Sequence, residues 1–273
     1  MYDDEFEDIS AEVLKQFIRS RNEKDYVLVD VRQPDEYQAG HIPGSLFIPL
    51  SKLIFRFSDL PRDKEMVFYC HSGGRSMAAA SMVSEEGITN QKIYNLEGGI
   101  LAWDGKTMKG FPRIQVFDKA KTPGELLFTA MDLEKGAWRF YTHVLKHFSI
   151  EPLVSTLEPL SKAEVAHART VYEFWKTGES TPPPFDDLYD SLSGEILEGG
   201  AKLVDVLGRL ESVEENLCLR VIELALHLEY AALDLYRAMA EQSKEETVQK
   251  TLLAIAQAEK SHIRLLTRAL DKI

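Results

Sequence analysis

Cysteine is scarce in this chain of 273 residues, which contains only Cys70 and Cys218. Two thiols cannot form the several disulfides that hold small secreted domains together. They also cannot supply the four thiolates of a cysteine-only iron or zinc centre. The sequence therefore excludes both a disulfide scaffold and a four-cysteine metal centre.

Basic residues are outnumbered as well, and long apolar runs are missing. The chain has 32 Lys and Arg against 44 Asp and Glu, a formal net charge of −12. An acidic surface repels phosphate backbones and anionic lipids, so we expect neither nucleic acid nor a membrane as a partner. No apolar run approaches the length of a membrane span. Residues 1–5 are acidic where a secretory signal is basic and then apolar, so we expect a cytoplasmic protein.

The pattern of apolar residues divides the chain into two parts. Within residues 1–110, short apolar runs alternate with short amphipathic segments, which predicts an α/β domain with a parallel sheet and flanking helices. A stretch rich in Gly, Pro and Lys follows, and we expect residues 111–124 to be a linker. In the first part we predict strands near 26–31, 66–70 and 92–96, and a helix over 76–85.

Residues 125–273 are predicted to form an all-α four-helix bundle. Their long helical patterns come as two pairs, separated by a crossover between Thr177 and Gly200 that Pro and Gly interrupt. This layout resembles that of ferritin-like bundles. The helices are expected roughly over 124–147, 160–176, 211–242 and 244–270.

The bundle carries an internal repeat with an offset of 95 residues (225 − 130). The pattern A-x-x-L-E-x-x-A-x-x-x-Y begins at Ala130 and again at Ala225, and a Glu-x-x-His pair follows each copy. Residues three apart share a helix face, so the Glu and the His of each pair project together. The repeat thus matches six side chains of the metal-ligand type: Glu134, Glu164, His167, Glu229, Glu259 and His262.

These six side chains predict a site for two divalent cations. Glu134 and Glu229 are flanked by apolar residues at the positions that face the bundle interior, where an unpaired carboxylate is unfavourable. Four inward carboxylates would also repel one another strongly. Two divalent cations balance the four negative charges, and each imidazole completes one end of the site. This ligand set suits iron and manganese nearly equally.

Tyr141 and Tyr236 each follow the first Glu of their repeat by seven residues, about two helical turns. Two interpretations stay open for them. They are hydrogen-bond donors to the ligands or redox-active phenols, or they are core aromatics whose hydroxyls are satisfied elsewhere.

With these residues, the stretch from Glu125 to Ile273 resembles the rubrerythrin branch of the ferritin-like superfamily. The resemblance implies a di-iron centre held by the six residues above, and a peroxidase-like oxidoreductase that acts against oxidative stress. Rubrerythrins usually carry a rubredoxin-type four-cysteine domain as an electron relay, which this chain cannot form. Electrons would come from an external donor such as rubredoxin, or from sulfur chemistry. Bundles of this family commonly pair, so we expect a homodimer.

The first part contains a cysteine loop between a predicted strand and a predicted helix. Gly73 and Gly74 let backbone amides converge, the helix N-terminus adds partial positive charge, and Arg75 adds a fixed cation. Cys70 should therefore have a depressed pKa and act as a nucleophilic thiolate. The same loop would hold a sulfur anion through His71, Ser72, Gly73, Gly74 and Ser76. Four residues separate Cys70 from Arg75, whereas phosphatases of the Cys-Arg type have five, so the shorter loop favours sulfur over phosphate.

Together with Trp103 and segments 30–32, 36–37, 40–45 and 96–99, this loop makes residues 5–105 resemble a single rhodanese domain. The resemblance implies that Cys70 carries a persulfide and that Arg75 helps to bind the anionic substrate, thiosulfate or a persulfide. Four polar residues of these segments are interpreted as scaffold that forms turns, ion pairs and caps: Asp30, Arg32, Glu36 and His41.

Three hypotheses remain for the combination of the two domains. In the first, the di-iron site reduces peroxide or dioxygen and Cys70 supplies or senses sulfur. The second has the di-iron site oxidise or reduce a persulfide that Cys70 has taken from a donor. In the third, a thiosulfate-type sulfurtransferase works independently of a bundle that only binds or stores iron. We predict a sulfurtransferase coupled to a di-iron redox site, with the third hypothesis as the alternative.

Overall fold

The computed structural model describes residues 6–148, 150–211, 215–271 and 273. Contacts between residues divide the chain into two units, Met1–Phe111 and Pro112–Ile273. Within the described ranges, no helix is both long enough and apolar enough to cross a lipid bilayer.

The first unit is an α/β domain around a five-stranded parallel sheet of order β1-β5-β4-β2-β3. The strands are β1 Glu7–Ile9, β2 Tyr26–Asp30, β3 Leu46–Phe47, β4 Glu65–Tyr69 and β5 Ile93–Leu96. The helices are α1 Ala11–Ser20, α2 Pro34–Ala39, α3 Leu50–Leu53, α4 Gly74–Glu85 and α5 Gly99–Ala102. The predicted fold class of this part is confirmed.

Helices cover both faces of this sheet, which is why its central strands read as continuous apolar runs. Successive side chains of β2 point to opposite faces. Val27 and Val29 pack in the core that contains Ala79 of α4, whereas Leu28 packs in the core that contains Leu14 of α1. Since all strands are parallel, the segments that follow β4 and β5 leave the sheet at the same edge.

The second unit is helical, as predicted. Its helices are α6 Pro123–His147, α7 Leu153–Trp175, α8 Phe185–Ser191, α9 Leu203–Glu211, α10 Leu217–Gln242 and α11 Glu246–Leu270. The long helices pack as the pairs α6 with α7 and α10 with α11, which are the two copies of the internal repeat. The short helix α8 lies within the predicted crossover, and α9 follows it.

Two helix boundaries differ from the sequence prediction. Helix α7 begins at Leu153 rather than near residue 160, because Leu153, Leu157 and Leu160 form one buried stripe and the helix accommodates Pro159. The helix predicted over 211–242 is α10, which begins at Leu217; residues 212–214 of that prediction lie outside the described residues.

The stretch expected as a linker contributes structure to the second unit. Residues Ile114–Phe117 form a 3-10 turn, and Phe117 is buried in the core of the bundle. A capping box then starts α6: the Thr122 side chain accepts a hydrogen bond from the Glu125 N–H, and the Glu125 carboxylate accepts one from the Thr122 N–H. Helix α6 therefore begins at a well-defined point.

Candidate functional site

The cysteine loop of the first unit lies between β4 and α4 and packs against the turn that follows β5. Gly73 has a left-handed φ of 100°, and a Cβ on Gly99 would lie 2.5 Å from the Cys70 carbonyl oxygen. The Ile100 N–H donates to that carbonyl at 2.8 Å, and the Leu101 N–H donates to the His71 carbonyl at 3.1 Å. The two glycine positions thus allow two loops from neighbouring strands to pack in direct contact.

Hydrogen-bond donors converge on the thiol of Cys70, whose residue is 1% exposed. The Gly73 N–H donates to Sγ at 3.1 Å, and the Ser76 hydroxyl lies 3.4 Å from the same atom. Burial by itself raises the pKa of Cys70, but hydrogen bonds from Ser76 and from the Ser72 and Gly73 amides outweigh it, so the pKa is lowered. The loop therefore favours the thiolate form of this cysteine.

Arg75 is held beside the thiol by a residue from another element. Its two terminal nitrogens donate to the two carboxylate oxygens of Glu36, both at 2.7 Å, and Glu36 also accepts from the Gln33 N–H at the start of α2. Hydrogen bonding to Arg75 is the main reason that the pKa of Glu36 is lowered to about 2. The Arg75 cation interacts favourably with Cys70. Glu36, predicted as a scaffold residue, thus orients a predicted site residue.

The other predicted loop residues differ in exposure, and the other predicted scaffold residues are buried. His71, Ser72 and Gly74 are exposed, whereas Gly73 and Ser76 are buried. Asp30 and Arg32 form a buried ion pair of 2.6 Å. The scaffold residue His41 is also buried and stacks on Tyr37 at 3.9 Å.

In the second unit, the six side chains of the repeat meet inside the bundle. The four carboxylates are at most 2% exposed, and the two imidazoles stack at 4.9 Å. The His167 Nδ1 atom lies 3.2 Å from Glu134, and the His262 Nδ1 atom lies 3.1 Å from Glu229. The remaining two carboxylates lie near both imidazoles: Glu164 at 3.3 and 3.4 Å, and Glu259 at 3.5 and 3.0 Å.

This arrangement has two ends and a shared middle. Glu134 and His167 form one end, and Glu229 and His262 form the other. Glu164 and Glu259 lie between them, because each approaches both imidazoles. The approximate twofold symmetry follows from the internal repeat, which places equivalent residues on equivalent helices.

The donor set fits divalent metal ions. Each Nδ1 atom faces three carboxylate oxygens, although one ring nitrogen can donate a single hydrogen bond. No oxygen of Glu164 or Glu259 has a hydrogen-bond partner among the described residues, and burial raises the pKa of both groups well above the ordinary value. Two ligands that share a metal at about 2.1 Å, roughly at right angles, lie about 3 Å apart, as these atoms do. The residues present are therefore suited to hold two divalent cations.

The two tyrosines of the repeat donate hydrogen bonds to this cluster. The Tyr236 hydroxyl donates to Glu134 at 2.6 Å, and the Tyr141 hydroxyl donates to Glu229. Both residues are at most 1% exposed. Of the interpretations left open by the sequence, the structure shows these side chains as donors to the candidate ligands.

A fifth buried carboxylate, which the sequence analysis missed, lies in the same cluster. Glu198 is 3% exposed, and one of its oxygens lies within 4.8 Å of an oxygen of each of Glu134, Glu164 and Glu259. It comes from the crossover and has no counterpart in the repeat, so the repeat could not identify it. The only sequence signal is its position between apolar Leu197 and the pair Gly199-Gly200.

The chain matches two protein families. Residues 11–106 match the rhodanese-like domain family, and residues 220–273 match the rubrerythrin family. The first match includes the whole cysteine loop. The second covers α10 and α11 up to the chain end, and with them one copy of the repeat: Glu229, Glu259 and His262.

Individual relatives resemble about a third of the chain. A sulfurtransferase of Allochromatium vinosum is 38% identical over 35% of this chain and 86% of its own length. The thiosulfate sulfurtransferase GlpE of Pseudoalteromonas translucida is 32% identical over 33% of this chain and 85% of its own length. A crystal structure of a rhodanese-related protein from Thermoplasma volcanium is 34% identical and covers 38% of this chain and 98% of that protein, with a TM-score of 0.34. The resemblance to rubrerythrin predicted from the sequence is confirmed over residues 220–273. The predicted rhodanese resemblance is confirmed as well, and this chain belongs to the rhodanese-like family.

Proposed function

We propose that the first unit transfers sulfane sulfur through a persulfide on Cys70, and that this chemistry is coupled to a di-iron redox centre in the second unit. The convergence of hydrogen-bond donors on the Cys70 Sγ atom carries the first part of the proposal. The name of the Pseudoalteromonas relative supports thiosulfate as a sulfur donor. A persulfide is the alternative donor.

The transfer is a double displacement at sulfur. The Cys70 thiolate attacks the outer sulfur of thiosulfate, the S–S bond of thiosulfate breaks, and sulfite leaves with the electron pair. A thiophilic acceptor such as cyanide then attacks the outer sulfur of the persulfide, and the thiolate returns with the electrons of the broken bond. The Ser72 and Gly73 amides stabilise the negative sulfur at each stage, and Arg75 adds positive charge beside it.

In the bundle, we propose that Glu134, Glu164, His167, Glu229, Glu259 and His262 hold two iron ions, with manganese as an alternative metal. Bound iron supplies one-electron redox chemistry toward peroxide, dioxygen or a persulfide. The protein's own contribution is to orient the ligands: the tyrosine hydroxyls fix two carboxylates, and the apolar core excludes water. We further propose an external electron donor such as rubredoxin, a homodimer and a cytoplasmic location.

A pair of cysteine variants tests the sulfurtransferase. Cys70→Ser is expected to abolish thiosulfate:cyanide sulfurtransferase activity, whereas Cys218→Ser, which changes the other thiol, should retain it. Both variants should keep about two metal ions per chain by mass spectrometry. Activity that survives in Cys70→Ser would remove Cys70 from the proposed role.

Coupling needs its own experiment. The iron-loaded protein is reduced anaerobically and treated with thiosulfate, and the iron absorption spectrum and its rate of oxidation by peroxide are followed. Coupling predicts a response to thiosulfate in the wild type that is absent in Cys70→Ser. An identical response in both proteins would favour the alternative, an independent sulfurtransferase beside a bundle that binds or stores iron.

A further inference from the structure

Glu198 lies at the tip of a short hairpin that the crossover forms after α8. Ile196 and Lys202 form an antiparallel bridge, and the Leu197 N–H donates to the Ala201 carbonyl at 2.9 Å. The Gly200 N–H then closes a tight turn by donating to the Leu197 carbonyl at 2.7 Å. Glu198 is the second residue of this turn, so its side chain is presented by a hydrogen-bonded backbone.

Small residues at equivalent positions of the repeat allow this hairpin to pack closely against the long helices. A Cβ on Gly136 of α6 would lie 2.3 Å from the Ile196 carbonyl oxygen, and a Cβ on Gly199 would lie 2.9 Å from the Cβ of Ala231 on α10. Gly136 and Ala231 are separated by the repeat offset (231 − 136 = 95). The hairpin thus packs closely against both helices that carry the first Glu of each repeat.

Helix α6 also holds the hairpin through polar contacts. The Asp132 carboxylate accepts hydrogen bonds from the Gly194 N–H at 2.9 Å and from the Ser193 hydroxyl at 3.1 Å. Arg139 donates to the Ser193 carbonyl. Asp132, Gly136 and Arg139 recur at helical spacing, so one face of α6 fixes the segment that leads to Glu198.

The carboxylate of Glu198 lies among the carboxylates of the candidate metal site. Its Oε1 atom is buried without a hydrogen-bond partner among the residues that the structure describes. Burial, followed by the negative charge of Glu134, raises the pKa of Glu198 well above its ordinary value. A buried carboxylate that faces other carboxylates is unfavourable unless a cation joins them.

Glu198 is also placed asymmetrically. The compact group of oxygens that contains it includes Glu134 but not Glu229. Its repeat counterpart would be residue 103 (198 − 95), which lies in the first unit. The other six side chains occur as matched pairs, so Glu198 is the member of the cluster that breaks the twofold relation.

We propose that Glu198 is a seventh ligand, supplied by the crossover to the metal position at the Glu134 end, and that it makes the two metal positions inequivalent. This inference rests on the proposed two-metal site. The position at the Glu134 end receives one more anionic oxygen donor than the position at the Glu229 end. It should therefore bind a divalent cation more tightly.

The test is a titration of metal-free protein with Mn²⁺, followed by calorimetry and electron paramagnetic resonance. Wild type should bind two ions in two distinguishable steps. Glu198→Gln keeps the side-chain shape and should weaken the tighter step about 10-fold or more, leaving the other step nearly unchanged. The matched control is Glu195→Gln, an exposed carboxylate in the same hairpin that should leave both steps unchanged.

A spectroscopic measurement and two further variants make the result independent of one substitution. The Mössbauer spectrum of iron-loaded wild type should show two distinct iron environments, which become more alike in Glu198→Gln. Glu198→Asp keeps the charge but withdraws it, so the tighter step should weaken to an intermediate extent. Gly136→Ala should weaken the same step by displacing the hairpin, without removing a carboxylate.

The possible outcomes separate the two proposals. Two bound ions with unchanged affinities and spectra in Glu198→Gln and Glu198→Asp would overturn the role of Glu198 and leave the two-metal site standing. A wild type that binds no metal would instead overturn the proposed function of the bundle.

Discussion

Tyr236 donates a hydrogen bond of 2.6 Å to Glu134, a carboxylate that belongs to the other copy of the internal repeat. Tyr141 makes the reciprocal bond to Glu229. Each tyrosine follows its own repeat's Glu by two helical turns, yet it bonds to the Glu of the other repeat. The two hydroxyls therefore connect α6 with α10 across the candidate metal centre, and each orients a carboxylate from the opposite helix.

These crossed bonds predict reciprocal effects of two conservative substitutions. Tyr236→Phe and Tyr141→Phe should each lower metal affinity about 10- to 100-fold, because the carboxylate loses the donor that fixes its orientation. Titration with Mn²⁺ measures the effect. Tyr172→Phe is the control, since it removes a hydrogen bond to the Pro183 carbonyl in the same bundle. An equal loss of affinity in Tyr172→Phe would mean that the effect comes from bundle stability.

Removal of one imidazole should lower both the metal content and the melting temperature of the protein. His262→Ala is expected to reduce the metal content to about one ion or fewer per chain, because Glu229 and Glu259 lose the nitrogen ligand between them. Added metal should also raise the melting temperature of this variant less than that of wild type. A ligand that binds only the folded state stabilises it by about 4 kcal/mol when its concentration is 1,000 times Kd. Mass spectrometry and thermal unfolding are the measurements. His147→Ala, on the exposed end of α6, should change neither value; if it lowers both, the assignment of His262 fails.

The lowered pKa of Cys70 predicts a specific pH dependence. Ser76→Ala removes a hydroxyl that stabilises the thiolate, so the pKa of Cys70 should rise and the thiolate should appear only at higher pH. Titration of the ultraviolet absorbance of the thiolate, with Cys70→Ser as the blank, measures the shift. Sulfurtransferase activity at neutral pH should fall together with the thiolate fraction.

Ser72→Ala provides the matched control for this titration. Its exposed side chain is removed while its backbone N–H, the group that contributes to the lowered pKa of Cys70, is retained. The titration should therefore match that of wild type. A shift in Ser72→Ala as large as that in Ser76→Ala would point to a general disturbance of the loop.

The ion pair between Glu36 and Arg75 predicts a defect in substrate binding. Glu36→Gln leaves Arg75 in place but removes the carboxylate that holds its two terminal nitrogens, so the cation is no longer oriented at the loop. We expect KM for thiosulfate to rise about threefold to tenfold, with a smaller change in kcat, because a partly exposed ion pair is modest in strength. Steady-state kinetics measures both constants.

Two further variants test whether the change in KM depends on the orientation of Arg75. Asp59→Asn removes the exposed ion pair with Arg56 in the same unit and should leave KM unchanged. Arg75→Ala should raise KM at least as far as Glu36→Gln does. A Glu36→Gln enzyme with wild-type KM would show that Arg75 does not depend on Glu36 for its position.

Much of the fold and of the candidate sites can be predicted from the sequence, because the sequence patterns that indicate them are local or periodic. The apolar runs of β2 and β4 predict the parallel sheet, and the spacing of Glu164 and His167 predicts that they share a helix face. The repeat then identifies six residues that meet in the bundle, because equal spacings on equivalent helices produce equivalent positions. The turn Gly73-Gly74 likewise indicates a loop whose amides converge on Cys70.

Only the tertiary structure decided the contacts that join distant segments without a periodic signal. Glu36 and Arg75 lie in separate elements, and nothing in their local sequences pairs them. Glu198 lies in an irregular crossover, where neither helical period nor repeat indicates which way a side chain points. The sequence by itself determined the fold class of each unit and the six matched residues of the candidate metal site, since these follow from secondary-structure geometry. The crossed tyrosine bonds and the carboxylate of the crossover depend on how helices and loops pack, which only the folded chain specifies.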